Sequence, residues 1–242
     1  MDLATEFEQR QFDLPERLDL PCTFAEWFAA SRQLATLHRL TRAAAPAIDL
    51  VAQVLARTGV GYAPLHVVDV GCGHGDLLRT LYRWAARRSV ALRLTGIDLN
   101  PYAARAAKEC DRREGIAAKT IEWSTADVFS TILETPADIV LSSLTAHHLP
   151  NDGILRLLGW CENHARQAWM LTDLRRSRRA HDVFALAART LRLHPFLAHD
   201  GPVSFRRALS LDEWRSLLEQ AQLASTCTLR ELPLAKIAIT RV

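Results

Sequence analysis

Three glycines at alternate positions, Gly71, Gly73 and Gly75, follow a β-branched run and stand just beyond a carboxylate, Asp69. The segment reads His66-Val-Val-Asp-Val-Gly-Cys-Gly-His-Gly-Asp76, with Cys72 inside the turn. Glycines at this density let a backbone approach a ligand closely, and the free N–H groups of a following helix offer donors. The combination is a cradle for a nucleotide cofactor, and its spacing separates one cofactor from another. A dinucleotide fold requires G-x-G-x-x-G, whose third glycine lets helix, strand and pyrophosphate approach. Here that position is Asp76, a carboxylate poorly suited to two phosphates, which disfavours an NAD-dependent oxidoreductase. The spacing D-x-G-x-G-x-G instead puts an acidic group where a cationic ligand is well received.

Further candidates follow in chain order. Leu94-Thr-Gly-Ile-Asp-Leu-Asn100 is a second apolar strand ending in Asp98, with Pro101 opening a helix. A carboxylate about twenty residues beyond a glycine turn, at the next strand's end, is placed to grip a ribose diol. Leu99 adjoins it, and Asn100 can cap the helix, leaving Asp98 free for that role. Ala126, Asp127 and Val128 follow a third strand, and Ser142 and Ser143 end a fourth, Ala137-Asp-Ile-Val-Leu-Ser-Ser-Leu144. Directly after it stand His147 and His148. Imidazole can take a proton from a phenol or hydroxyl near neutral pH, and adjacent side chains diverge, so at most one should face a substrate. The run Leu171-Thr-Asp-Leu-Arg-Arg-Ser-Arg-Arg-Ala180 sets cations at a helix start, against its dipole. Arg175 and Arg176 are therefore candidates for a salt bridge to Asp173 or for gripping a substrate carboxylate, phosphate or phenolate. His199-Asp-Gly-Pro202 reads as a turn that brings His199 to the mouth of the site. No H-x-x-x-H and no clustered carboxylates argue for a metal.

The elements that must hold these residues alternate from residue 64 onward. Strands are expected near 65–70, 92–98, 119–124, 137–143, 168–173, 225–231 and 235–241. Helices are expected near 75–88, 101–114, 151–165, 178–193 and 211–221, the last opened by the capping box Ser210-Leu-Asp-Glu213. Such alternation implies a parallel sheet covered by helices on both faces. A turn centred on Pro233 makes the last two strands an antiparallel hairpin. Residues 1–63 are expected to form a helical extension and 64–242 the α/β domain that carries the candidate residues. In the extension, Thr23-Phe-Ala-Glu26 is a second capping box leading a helix, and another helix runs over 46–57. Residues 10–40 serve either as packing on the flank of the sheet or as a lid that excludes water.

The set Asp69, Gly71, Gly73 and Gly75 resembles the cofactor motif of the class I S-adenosylmethionine (SAM) methyltransferases at all four fixed positions. The resemblance implies their Rossmann-like seven-stranded sheet with the last strand antiparallel, SAM as cofactor and S-adenosylhomocysteine as product. It implies that Asp69 holds the methionine ammonium, directly or through water, while Gly71, Cys72, Gly73 and Gly75 pass beneath the methionine and ribose. Asp98, Leu99 and Asn100 then serve the ribose side, Ala126, Asp127 and Val128 the adenine, and Ser143 the sulfonium region. The stretches Asp173-Leu-Arg-Arg-Ser177, His147-His-Leu149 and Asp200-Gly-Pro202 with Phe205-Arg-Arg-Ala208 are similar to one bacterial subgroup, found beside type III polyketide synthases and flavin-dependent oxidoreductases. That likeness covers roughly residues 30–242, is most specific in the cofactor half, and implies O-methylation of an aromatic polyketide or quinone-like molecule. The alternatives are C-methylation of such a ring and a SAM-binding protein without catalysis.

Composition agrees with this reading. A chain of 242 residues can bury one full core. No apolar run approaches the roughly 18 residues of a membrane span. The start, Met1-Asp-Leu-Ala-Thr-Glu-Phe-Glu8, lacks the pattern of a signal peptide. Five scattered cysteines without C-x-x-C fit a reducing cytoplasm. A net charge of +3 is too small to point to nucleic acid. The expected partner is a small aromatic acceptor, and the expected state a monomer or homodimer.

Overall fold

The computed structural model describes residues 7–58, 63–133 and 135–242. The first six residues of the extension, and residues 59–62 just before its expected boundary, lie outside them. Seven strands form one sheet: β1 (Leu65–Val70), β2 (Leu92–Asp98), β3 (Ile121–Thr125), β4 (Ala137–Ser143), β5 (Ala165–Leu174), β6 (Thr228–Leu232) and β7 (Lys236–Arg241). Their order is β3-β2-β1-β4-β5-β7-β6. The first five run parallel, and β7 inserts antiparallel between β5 and β6. The C-terminal hairpin expected around Pro233 is thus the source of the reversed strand.

Strand order reverses between β1 and β4. Chain leaving β1 goes to one side of the sheet and chain leaving β4 to the other, so a crevice opens beyond their carboxyl ends, where open α/β sheets bind ligands. The central strands are buried on both faces: Val67, Val68, Ile139, Val140 and Ala168 are inaccessible to solvent. That burial accounts for their continuous apolar runs.

Eight helices accompany the sheet among the described residues: α1 (Phe24–Leu40), α2 (Ala45–Thr58), α3 (Asp76–Ala86), α4 (Ala103–Arg113), α5 (Asn151–His164), α6 (Arg178–Thr190), α7 (Pro195–Arg207) and α8 (Leu211–Gln220). Both capping boxes form, at Thr23 with Glu26 and at Ser210 with Glu213. The two N-terminal helices differ in what they bury. α2 sets Leu50, Val51 and Val54 into the apolar cluster of α3 and the sheet. α1 joins Trp27 and Phe28 to α4, in a small separate cluster.

One stretch departs from its expected form. Residues 199–202 are not a turn but the middle of α7, with Pro202 inside the helix. An internal proline costs a backbone hydrogen bond, and tertiary packing compensates. Gly201 brings α7 against α6 so closely that a Cβ there would lie 2.0 Å from the Phe184 ring. The Asp200 carboxylate accepts the Arg17 and Leu18 N–H groups at 2.7 and 3.0 Å. The glycine and aspartate that look like turn residues are used for helix packing and for holding the N-terminal segment.

Candidate active site

The turn after β1 needs its glycines for two reasons. Gly71, Gly73 and Gly75 have φ of +72°, +54° and +83°, the left-handed region that side chains disfavour. Space is the second constraint. A Cβ on Gly71 would lie 2.2 Å from Thr145 Oγ1, and one on Gly75 would lie 2.1 Å from the Trp123 ring. The Trp123 ring also fills the space above Gly96, and its indole N–H donates to Asp111 at 2.6 Å. A tryptophan is therefore wedged behind the turn, against Gly75 before α3 and Gly96 of β2. The spacing of the motif carries no sign of that residue.

Three carboxylates surround the turn, each in a different state. Asp98 is fully engaged with backbone: its oxygens accept the N–H of Gly73 at 2.7 Å and of Asn100 at 2.8 Å. Each oxygen keeps a lone pair for a ligand hydroxyl. Asp76 opens α3 and meets His38 Nδ1 of α1 at 2.8 Å. Burial disfavours its charge, but His38 and the nearby His74 and Arg79 outweigh that, holding it below the usual carboxylate range. Asp69 has no such compensation. It is 2% exposed and its Oδ1 finds no hydrogen-bond partner. Burial, then repulsion from Asp76 and Asp98, pushes its proton affinity well up. A buried carboxylate left in this condition is a vacancy for a cation.

These groups face one cavity of about 840 Å³. Asp69, Gly71, Cys72, Gly73, Asp98, Leu99, Asn100, Ala126, Asp127, Val128 and Ser143 all line it. Gly75 lies behind the turn, against Trp123. Asp127 is exposed and its Oδ1 accepts the Phe129 N–H at 2.9 Å, shaping the short helical turn that follows β3. Ser142 is buried beside Ser143, whose hydroxyl accepts from Thr172 at 3.0 Å. From the N-terminal side the wall is completed by Leu18, Trp27, Ser31, Leu34 and His38. Sequence patterning shows those α1 residues as one helical face without showing what the face covers.

The two histidines part company, as adjacent side chains must. His148 lines the cavity, with Nδ1 2.9 Å from Asp19 Oδ2. His147 is buried, with Nδ1 2.6 Å from Asp173 Oδ1 and its backbone N–H on Asp173 Oδ2 at 2.9 Å. Asp173 therefore serves His147 and not the arginines that follow it.

The three residues expected to hold a substrate lie away from the cavity. Arg176 is a buried strut. It donates to both Glu213 oxygens at 2.8 and 2.9 Å and to the carbonyls of Phe7 and Ala208. Arg175 faces Glu231 across the hairpin at 3.4 Å. His199 sits on α7 beside Asp200 at 2.8 Å. Arg175 and Arg176 thus form ion pairs that bind the hairpin and α8 to the end of β5. Two other arginines, Arg10 and Arg207, sit closer to the site. Arg207 reaches Asp19 at 3.1 Å, and Arg10 donates to the carbonyls of His147 and Leu149 at 3.1 and 2.7 Å.

A family profile described as "Methyltransferase domain" matches residues 67–167, the span from β1 into β5 that carries the glycine turn and every strand end around it. No curated protein matches the sequence. Among solved structures, plantazolicin methyltransferase BpumL, in complex with a pentazolic desmethylPZN analog and SAH, superposes with a TM-score of 0.55 at 14% identity, covering 89% of this chain and 96% of that one. Magnesium protoporphyrin IX methyltransferase (ChlM) from Synechocystis PCC 6803 with bound SAH gives 0.54 at 14% identity over 90% and 98%. A putative O-methyltransferase from Nostoc punctiforme PCC 73102 gives 0.56 at 18% identity over 86% and 58%. Residues 67–167 of this chain are therefore similar to a methyltransferase domain, and the chain as a whole has the fold of these SAM-dependent methyltransferase structures.

Proposed function

We propose that the chain transfers the sulfonium methyl group of SAM to a hydroxyl of a small aromatic acceptor, a phenolic polyketide or quinone-like metabolite. The observation that carries the cofactor half is Asp69, a buried carboxylate without a partner on its Oδ1 at the foot of a glycine turn. SAM is a cationic ligand, and its ammonium meets that need. Asp98 takes the ribose hydroxyls, Ala126, Asp127 and Val128 frame the adenine, and the Gly71–Gly75 turn passes beneath. When bound, SAM supplies an electrophilic methyl group.

The residues of this chain then have three tasks. Leu18, Trp27 and Leu34 present an apolar wall, which suits an aromatic ring and excludes water from the transfer. This is the lid role for residues 10–40. His148 takes the acceptor proton through Nε2, since Asp19 holds its Nδ1. His147, fixed by Asp173, supports the loop that carries His148. Positioning the acceptor supplies most of the rate, and the base supplies the rest.

The test combines isothermal titration of SAM with S-adenosylhomocysteine release on a panel of phenols and hydroquinones. Micromolar SAM binding with turnover on phenols, and an O-methyl signal in the product NMR spectrum, is the expected result. A C-methylated product would move the reading to ring methylation. Binding without turnover on any phenol or hydroquinone would leave a SAM-binding protein.

A further inference from the structure

Behind the cavity wall at His148, three groups from distant parts of the chain converge. Glu16 belongs to the segment before α1, and His147 and His148 to the short helical turn after β4. His147 Nε2 lies 3.7 Å from one Glu16 oxygen and His148 Nε2 lies 3.8 Å from the other. One donor atom from each of the three lies within 4.8 Å of the others. These separations are too long for hydrogen bonds. They are close to the spacing of about 3.4 Å between ligands held about 2.1 Å from a tetrahedral zinc ion.

The orientation of both rings is the independent observation. Each histidine has a carboxylate on its other nitrogen: Asp173 at 2.6 Å from His147 Nδ1, and Asp19 at 2.9 Å from His148 Nδ1. A carboxylate on Nδ1 fixes the Nδ1–H tautomer and turns the Nε2 lone pair outward, the arrangement that supports metal-bound histidines. Here it occurs twice, and both Nε2 atoms stand within 3.8 Å of one carboxylate. Charge points the same way. Three carboxylates, Glu16, Asp19 and Asp173, and only two guanidiniums, Arg207 and Arg10, surround the two rings. Glu16 is 3% exposed. The nearest cation to it, Arg207 Nη1, is 3.8 Å away.

We infer that Glu16, His147 and His148 form a site for a divalent transition-metal ion of the zinc class, with two imidazole nitrogens and one carboxylate as protein ligands. Three protein ligands leave a position for water, and His148 gives it access to the cavity. The ion clamps the N-terminal segment to the loop after β4. Ligation consumes the Nε2 lone pair of His148, so an occupied site and a histidine free to accept a proton exclude one another. The sequence hides this site because Glu16 stands far from the histidines and adjacent histidines do not follow the usual ligand spacing.

The inference does not rest on the transferase reading, and its test uses no SAM or acceptor. EDTA-treated full-length protein is titrated with Co²⁺ and followed by visible absorption, with Zn²⁺ as competitor. The expected result is one equivalent bound, with a tetrahedral nitrogen/oxygen spectrum that Zn²⁺ abolishes. Glu16→Gln and His148→Asn should each weaken Co²⁺ binding at least tenfold. Glu16→Asp, which keeps the carboxylate but shortens it, should fall between. Circular dichroism melting in EDTA verifies that each variant is folded. A variant that does not fold is set aside, and the remaining two decide. Absence of stoichiometric binding overturns the inference, as does unchanged affinity in the folded variants. A thiolate charge-transfer band also overturns it, since it would place the ion on one of the five free cysteines.

Discussion

The two ends of the cavity are built on different principles. At the cofactor end, Asp69, Asp76 and Asp98 and the glycine turn come from the carboxyl ends of β1 and β2 and the start of α3, within about thirty residues. At the acceptor end, Glu16, Asp19, His147, His148, Asp173 and Arg207 are drawn from four segments of the chain, and the Arg207–Asp19 hydrogen bond alone spans 188 residues. The first end is a carboxylate cluster short of positive charge. The second is a network of acids, imidazoles and guanidiniums paired with one another, apart from the gap between Glu16 and the two Nε2 atoms. An end that awaits a cation should respond to loss of a carboxylate mainly through affinity. An end already paired should respond through catalysis and stability.

The largest effect is expected from Asp98→Ala. Charge-assisted hydrogen bonds are worth about 1.5–3 kcal/mol each. Losing those to the ribose, and with them the anchor of the Gly73 and Asn100 N–H groups, should weaken SAM binding about a hundredfold by isothermal titration. Affinity within threefold of the parent would remove Asp98 from the cofactor site and dissolve the contrast.

The histidine pair divides the acceptor end itself. His148→Gln should lower turnover about a hundredfold, in the range of general-base contributions, with SAM affinity unchanged. His147→Gln should act on folding instead. It removes one partner of the buried Asp173 carboxylate, a loss worth about 3 kcal/mol, read as a fall in chemical-denaturation midpoint. A reversed pattern, with His147 controlling turnover and His148 controlling stability, would exchange their roles.

The same contrast explains what was legible from residues alone. Most of the residues expected at the cofactor end line one cavity, because strand periodicity, glycine spacing and strand-end carboxylates are local signals that the sheet then aligns. Trp123 escaped because nothing about its position shows that two glycines make room for its ring. The acceptor end was visible only as two histidines. Their partners come from before α1, from β5 and from α7, and no periodicity links such positions. Arg175 and Arg176 misled for a related reason. Four arginines at a helix start looked unpaired in one dimension, whereas Glu213 and Glu231 supply partners that only folding brings near. Residues 199–202 misled because the composition of a turn and that of a tightly packed helix crossing coincide here.

Asp69→Asn tests the cation vacancy from both sides. SAM affinity should fall about tenfold as the charge is lost, whereas the free protein should gain stability. Burial and the neighbouring carboxylates raise the folded-state pKa of Asp69 above its ordinary 3.8. Its contribution to stability is therefore fully present below pH 3.8 and is lost as pH rises from there toward the folded value. Asparagine suffers no such loss, so the gain in melting temperature should be absent at pH 3.5 and grow with pH. A variant that binds SAM as tightly as the parent, or that melts lower at pH 8, would show Asp69 to be already compensated.

Glu16→Gln applies the same measurement to the other end and should give the smallest response. Burial raises the Glu16 carboxyl from 4.5 to about 7, so its contribution to stability is complete below pH 4.5 and declines between pH 4.5 and 7. The groups facing it moderate that decline: His148 and Arg207 favour the charged form, Asp19 opposes it, and Ser204 donates a hydrogen bond at 3.0 Å. In EDTA, Glu16→Gln should therefore melt slightly above the parent at pH 8 and match it at pH 4, with the difference appearing between pH 4.5 and 7. The gain should be smaller than that of Asp69→Asn, because Glu16 has cationic neighbours and Asp69 has none of comparable strength. SAM affinity should not change. A tenfold loss of SAM binding in Glu16→Gln, or a stability gain equal to that at Asp69, would mean that the two ends act as one electrostatic unit.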